Sequence, residues 1–151
     1  MSVDHEHMMR IALEEAAQGG AEGNSAVGSI IVDGDQVVAR GRNLVTSNSD
    51  PTAHAETVVL RNAGAALKRT DFSGMTLYTT FEPCPMCCGA ILASNIGTLV
   101  MGARHDPVQS RWGGYTVENL LDLTHSADRL TVVTGILTRE CADIRNIGVS
   151  T

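Results

Sequence analysis

His54 and Glu56 stand two residues apart in PTAHAETVVL (51–60), and Cys84, Cys87 and Cys88 crowd into FEPCPMCCGAIL (81–92). An imidazole and two thiolates are borderline-to-soft donors of the kind that bind Zn²⁺. Cys84 and Cys87 are three apart, so on a helix they are neighbours on one face. At a helix start the aligned peptide dipoles favour their thiolate forms. With His54 they make three protein ligands, which leaves the fourth tetrahedral position for water, the arrangement of a catalytic zinc. Glu56 then has a use. A carboxylate beside such a water, near the metal without ligating it, can take a proton and redeliver it to a substrate.

Competing readings are weaker. Cys88 also falls on an adjacent helical position, but Cys87 is the expected ligand and Cys88 a small buried packing residue. Cys141, in TRECADI, reads as core. A structural zinc would want a fourth cysteine or histidine. None lies near at the usual spacing, although His105 or Cys141 could fold back. A bland alternative has His54 capping its helix while the cysteines fill core, and a redox CxxC leaves His54 and Glu56 without a role. His105 follows a strand end, where a loop position near the pocket is open to it, but it reads first as solvated, with His5, His7 and His125 on the surface. Trp112 and Tyr115, in SRWGGYTV, suit stacking on a ring in a pocket or packing in the core or a dimer interface.

The elements that must position these residues are legible in outline. HEHMMRIALEEAAQ has apolar residues near helical spacing, and SAVGSIIVDGDQVVARGRN is two β-rich runs about Asp33-Gly34-Asp35, a hairpin signal. The segment from about Thr52 to Leu67 reads as a helix that opens on His54 and Glu56. MTLYTT is a short buried strand, and CPMCCGAILASN a helix with Pro85 in its first turn, where a missing N–H costs nothing. GTLVMGA is a strand, TVENLLDL a helix, RLTVVTGIL a strand, and a short helix follows from Thr138. A hairpin followed by strands alternating with helices predicts an α/β fold, a three-layer α/β/α sandwich around a mixed five-stranded sheet. In such sheets, sites sit at strand ends where helix N-termini point.

The 151 residues suit one domain, 1–151, with 43% hydrophobic residues and no linker or repeat. No apolar run nears a membrane span, and MSVDHEHMMR lacks the pattern of a secretory signal, so a cytoplasmic location is expected. The cysteine spacing is poor for disulfides and good for a metal. A net charge of −6 with scattered basic residues leans away from binding that rests on many phosphate contacts.

His-x-Glu followed by Pro-Cys-x-x-Cys is the signature of zinc nucleobase deaminases. At these residues the sequence resembles the cytidine deaminase superfamily, in particular the branch holding tRNA adenosine deaminases, guanine deaminases and fungal-type cytosine deaminases. The similarity runs from about Met8 to Asp143 and is densest in DPTAHAE and TLYTTFEPCPMCCGAILASNIGTLVMGARHD. It implies a cytidine deaminase-like fold, Zn²⁺ held by His54, Cys84 and Cys87, and Glu56 shuttling protons. Asn43, in GRNLV, matches the family asparagine that hydrogen-bonds the base, and Ala55 is the second candidate substrate contact. A homodimer is implied, with pocket walls partly from the partner.

The activity implied is hydrolytic removal of the exocyclic amine of a cytosine-, guanine- or adenine-type nucleobase or nucleoside, with release of ammonia. Two alternatives are a tRNA adenosine-to-inosine deaminase and a non-catalytic zinc-binding dimerisation module. Glu56 speaks against the second, since a purely structural site has no use for it. The sequence departs from the pattern in several places. Ala26 takes the place of a common proline, a change of small local effect. The chain reads DIRNIGVST where the tRNA enzymes continue into a long basic helix. WGGYT carries no acid where guanine deaminases have one, and the aromatic, acidic tail of the fungal enzymes is absent. A free base or nucleoside is therefore expected over a structured RNA.

Overall fold

The computed structural model describes residues 4–147. The last four residues, on which the reading of the carboxy-terminal segment partly falls, lie outside them. In chain order the elements are α1 (His5–Ala21), β1 (Gly28–Asp33), β2 (Gln36–Arg42), α2 (Val45–Asn48), α3 (Ala55–Leu67), β3 (Thr76–Phe81), α4 (Pro85–Ala93), β4 (Thr98–Ala103), α5 (Val117–Leu123), β5 (Thr131–Val133) and α6 (Thr138–Ile147). The strands form one sheet in the order β2-β1-β3-β4-β5. β1 runs antiparallel to β2 and β3, whereas β3, β4 and β5 are parallel, so the sheet is mixed and five-stranded as expected.

Side chains alternate across the pleat and divide the core in two. Ile31, Leu77, Leu99 and Met101 pack with residues of α3, α4 and α5 on one face. Ile30, Val32, Tyr78 and Val100 pack under α1 and α6 on the other. These are the three layers of the sandwich. His5, expected on the surface, is half-buried, because its Nδ1 meets the Tyr78 hydroxyl at 2.8 Å.

The β1–β2 hairpin closes through Gly34 and Asp35, with Gly34 at φ +65°, a conformation glycine adopts without strain. Two boundaries differ from the sequence reading. α2 is a single turn that no periodicity marks. It is capped from outside, since Asn24 Oδ1 accepts from the N–H groups of Thr46 and Ser47 at 2.9 and 3.0 Å. β5 is three residues rather than the whole of 129–137, because Gly135 and Leu137 take positive φ and turn the chain away. A short edge strand also offers little template for wrong pairing.

Candidate active site

α3 begins later than its apolar pattern suggests. Asp50 Oδ1 accepts from the N–H and hydroxyl of Thr52, at 2.8 and 2.7 Å, and holds that segment as a turn. His54 is then the N-cap residue, extended at φ −71° and ψ 157°, and its side chain makes no capping bond. Its carbonyl enters the helix instead, accepting from Val58 N–H at 2.9 Å and the Thr57 hydroxyl at 3.0 Å. The ring is left free to project. That disposes of the reading in which His54 serves only as a cap.

α4 repeats the device. Cys84 is its N-cap residue at φ −68° and ψ 172°, Pro85 opens the helix, and Cys87 stands one turn on. The two helix starts converge. His54 Nδ1 lies 3.5 Å from Cys84 Sγ and 3.6 Å from Cys87 Sγ. The ligand atoms of the three residues all fall within 4.8 Å of one another and could hold a metal ion. Cys88 points elsewhere and is fully buried in the core beside α5. Cys141 lies in the core on the opposite face of the sheet, and neither it nor His105 joins the cluster.

The donor set suits zinc on chemical grounds. The Cys84 thiol is pulled down to about 4 by the hydrogen bond from Cys87, against the effect of burial, with further help from His54. Cys87 is pushed far up, first by that same hydrogen bond and then by burial and the nearby Glu56 carboxyl. Each shift runs through the other sulfur, and the closeness of the three donor atoms lets one ion meet both thiols and the imidazole. His54 is raised, mainly by its hydrogen bond to Cys84.

Glu56, in the first turn of α3, is 3% exposed. Its Oε1 accepts from the Thr79 hydroxyl at 2.9 Å and faces the Ser29 hydroxyl at 3.5 Å. Ser29 on β1 and Thr79 on β3 are paired across the sheet, so one rung of the ladder fixes the carboxylate. Burial raises the Glu56 carboxyl above its ordinary range, against the hydrogen bonds it receives. A buried carboxyl held in this way is placed to exchange protons with a group in the cavity.

His54, Glu56 and Cys84 line a cavity of about 270 Å³ together with Asn43, Ala55, His105, Arg111, Trp112 and Arg145. Asn43 is buried, and its Oδ1 accepts from Val45 N–H at 3.0 Å. That bond fixes the amide and leaves its NH₂ group as the donor. Ala55 opens α3, so its N–H is one of the first-turn donors without a partner in the helix. His105 takes the position near the pocket rather than the solvated one that the sequence reading put first. It is half-buried in the wall, edge-on to Phe81 at 4.9 Å and to Tyr115 at 5.9 Å. Trp112 lines the cavity, whereas Tyr115 packs against the core and donates to the Pro83 carbonyl at 2.6 Å.

Ser29, Thr79 and Glu82 escaped the sequence reading. The first two carried a signal, being polar residues inside buried strands. Glu82, 2% exposed, accepts from Arg104 Nη2 at 2.9 Å and from the N–H groups of His105 and Val117 at 3.1 and 2.9 Å. Burial would raise its carboxyl, but these donors win and hold it below the usual range. It ties the ends of β3 and β4 to the start of α5, just before Cys84.

Comparison with known proteins agrees with this geometry. The family described as the cytidine and deoxycytidylate deaminase zinc-binding region matches residues 2–103. The tRNA-specific adenosine deaminase of Haemophilus influenzae is 39% identical over 138 residues, 91% of this chain and 78% of the relative. A solved structure from studies of A-to-I editing by tRNA:A34 deaminases superposes with a TM-score of 0.79 at 35% identity, over 91% of this chain and 98% of that one. The guanine deaminase of Nitrosomonas europaea does so with a TM-score of 0.81 at 30% identity, over 97% of this chain and 86% of that one. With its imidazole, its thiol pair and its buried acid at two converging helix starts, the chain belongs to the cytidine and deoxycytidylate deaminase family and is a zinc-binding, hydrolytic deaminase of nucleobase or nucleoside type.

Proposed function

We propose that residues 1–151 act as one zinc-dependent deaminase domain that removes the exocyclic amine of a purine, supplied as a free base or nucleoside. The observation that carries this is the convergence of His54, Cys84 and Cys87, with His54, Cys84 and buried Glu56 lining one cavity. The three donors would hold zinc, which when bound supplies the Lewis acidity that makes a water nucleophilic at neutral pH. Glu56 takes a proton from the attacking water and passes it to the ring nitrogen beside the reacting carbon. It then carries the water's second proton to the departing amine. The water oxygen becomes the new carbonyl, and the amine leaves as ammonia. Asn43 through its NH₂ group, and Ala55 through its N–H, orient the base.

The cavity lies near the lower end of the ~300–1,000 Å³ range of small-molecule sites, a size that suits a single ring system. The likeness to guanine deaminase supports a purine substrate. A second reading, adenosine within a tRNA, is favoured by the names of several curated relatives. The acidic charge balance weighs against it. We infer further that the chain pairs with a second copy through α4. The test is ammonia release by zinc-loaded protein from adenine, guanine, cytosine, their nucleosides and an anticodon stem-loop. Release from a purine base or nucleoside is expected; silence towards every compound would overturn the reading.

A further inference from the structure

The backbone that leads into Cys84 has few hydrogen bonds of its own to give. Between the end of β3 at Phe81 and the start of α4 at Pro85 the chain reads Glu82-Pro83-Cys84. Pro83 and Pro85 carry no N–H, and the Cys84 side chain makes no capping bond. The ring of Pro83 fixes its φ, so its ψ is the soft dihedral that sets the plane of the peptide joining it to Cys84. The oxygen of that peptide is the carbonyl of Pro83. Whatever holds this oxygen holds the direction in which the Cys84 thiol projects.

Tyr115 holds it. Its hydroxyl donates to the Pro83 carbonyl at 2.6 Å, and the Cys88 thiol, one turn into α4, lies beside the same hydroxyl. The tyrosine is itself fixed. Its ring packs against the core that contains Cys88 and Val117, His105 meets the ring edge-on at 5.9 Å, and its N–H donates to the Trp112 carbonyl at 3.2 Å. Two residues on, the N–H of Val117 reaches the Glu82 carboxylate at 2.9 Å. The start of α5 therefore grips the segment before Cys84 twice, once through a side-chain hydroxyl and once through a backbone N–H. Tyr115 lies outside the lining of the cavity, so its hydroxyl has no substrate to meet. A buried phenol needs some partner. This one takes the carbonyl that adjoins a thiol of the metal cluster.

We propose that Tyr115 is a positioning residue for the metal centre: its hydroxyl sets the peptide from which Cys84 hangs, and with it the approach of that thiol to the ion shared with His54 and Cys87. This rests on the reading of Cys84 as a ligand and adds a residue that acts through it. Groups that orient a metal ligand in this way contribute roughly tenfold to a hundredfold in metal affinity or activity. Ring and hydroxyl have separate duties here. The ring supports His105 in the cavity wall, and the hydroxyl serves the thiol.

The test compares the unsubstituted protein with Tyr115→Phe, which keeps the ring and loses the oxygen. Zinc affinity is measured by competition with a chromophoric chelator, and the site is read optically after cobalt(II) replaces zinc. Tyr115→Phe should weaken zinc roughly tenfold to a hundredfold, shift the visible cobalt bands and lower kcat with KM unchanged. Zinc affinity and cobalt bands that both survive Tyr115→Phe overturn the proposal, even where the denaturation midpoint falls, because that is the mark of ordinary packing. Should Tyr115→Phe fail to fold, the unsubstituted protein carrying isotope-labelled tyrosine is read by NMR. Its two tyrosines, Tyr78 and Tyr115, are told apart with Tyr78→Phe. The Tyr115 signals should move when zinc is added to metal-free protein, and signals that stay in place overturn the proposal. Cobalt bands that lack thiolate character, or that Cys84→Ser leaves unaltered, defeat the ligand reading and this inference with it. Bands that answer to Cys84→Ser but not to Tyr115→Phe defeat this inference alone.

Discussion

Cys87 and Cys88 are chemically identical and adjacent, and the helix gives them opposite surroundings. Cys87 stands one turn from Cys84 and faces His54, whereas Cys88 is sealed in the core, where burial raises its thiol to about 11. Cys87→Ala should therefore abolish zinc binding, measured by metal content after dialysis, while Cys88→Ala keeps one zinc per chain. Cys88→Ala should lose only about 1 kcal/mol in denaturant melts, the cost of a small cavity. Equal zinc loss in both would remove the assignment. Glu56 is argued to move protons without ligating the metal. Glu56→Gln should keep the zinc and the fold while kcat falls by roughly 10²–10⁴-fold. A variant that loses its zinc would make Glu56 a ligand instead.

The elements place these residues through close packing that a single methyl would disturb. A Cβ at Gly41 on β2 would lie 2.6 Å from Val59 N on α3, so the helix that begins at His54 sits directly against the strand. Gly41→Ala should push α3 outward, destabilise the fold by about 1–3 kcal/mol and lower kcat as Glu56 leaves Thr79. Chemical denaturation and steady-state kinetics read both effects. An unchanged kcat would mean that α3 can shift without moving the site. Most of the site was legible because its residues lie in two short stretches whose helix-start signals are local. Pro85 marks one such start, and the apolar run after His54 marks the other. What was hidden depends on partners far along the chain. Nothing local marks Glu82, which depends on β4 and α5 to bring Arg104 and the N–H of Val117 to it. α2 exists because Asn24 caps it from twenty-two residues away. His105 is a wall residue because Phe81 and Tyr115 flank it, and no spacing rule connects the three.

At the scale of the whole molecule, α4 is the element left incomplete. Its sequence, PMCCGAILA, is apolar on every side. A helix with no polar face belongs in an interior. Cys87, Cys88 and Ile91 face inward, but Met86 is 37% exposed and Gly89 and Ala93 are exposed, with nothing within 4 Å of a Cβ added at Gly89. These positions fall three and four residues apart and form one stripe, whose small residues let a second helix approach closely. Because the stripe is on the helix that begins at Cys84, a partner seated there would stiffen the thiol-bearing start of α4 as well as cover the apolar face. Gly89→Glu adds a charge to the stripe without touching the core. Sedimentation at micromolar concentration should find a dimer for the unsubstituted chain and a monomer for Gly89→Glu. If the partner also completes the cavity wall, kcat/KM should fall in step with dimer content as the protein is diluted. A monomer in both proteins would leave α4 as an exposed apolar helix with no second copy to cover it, and the pairing would have to be abandoned.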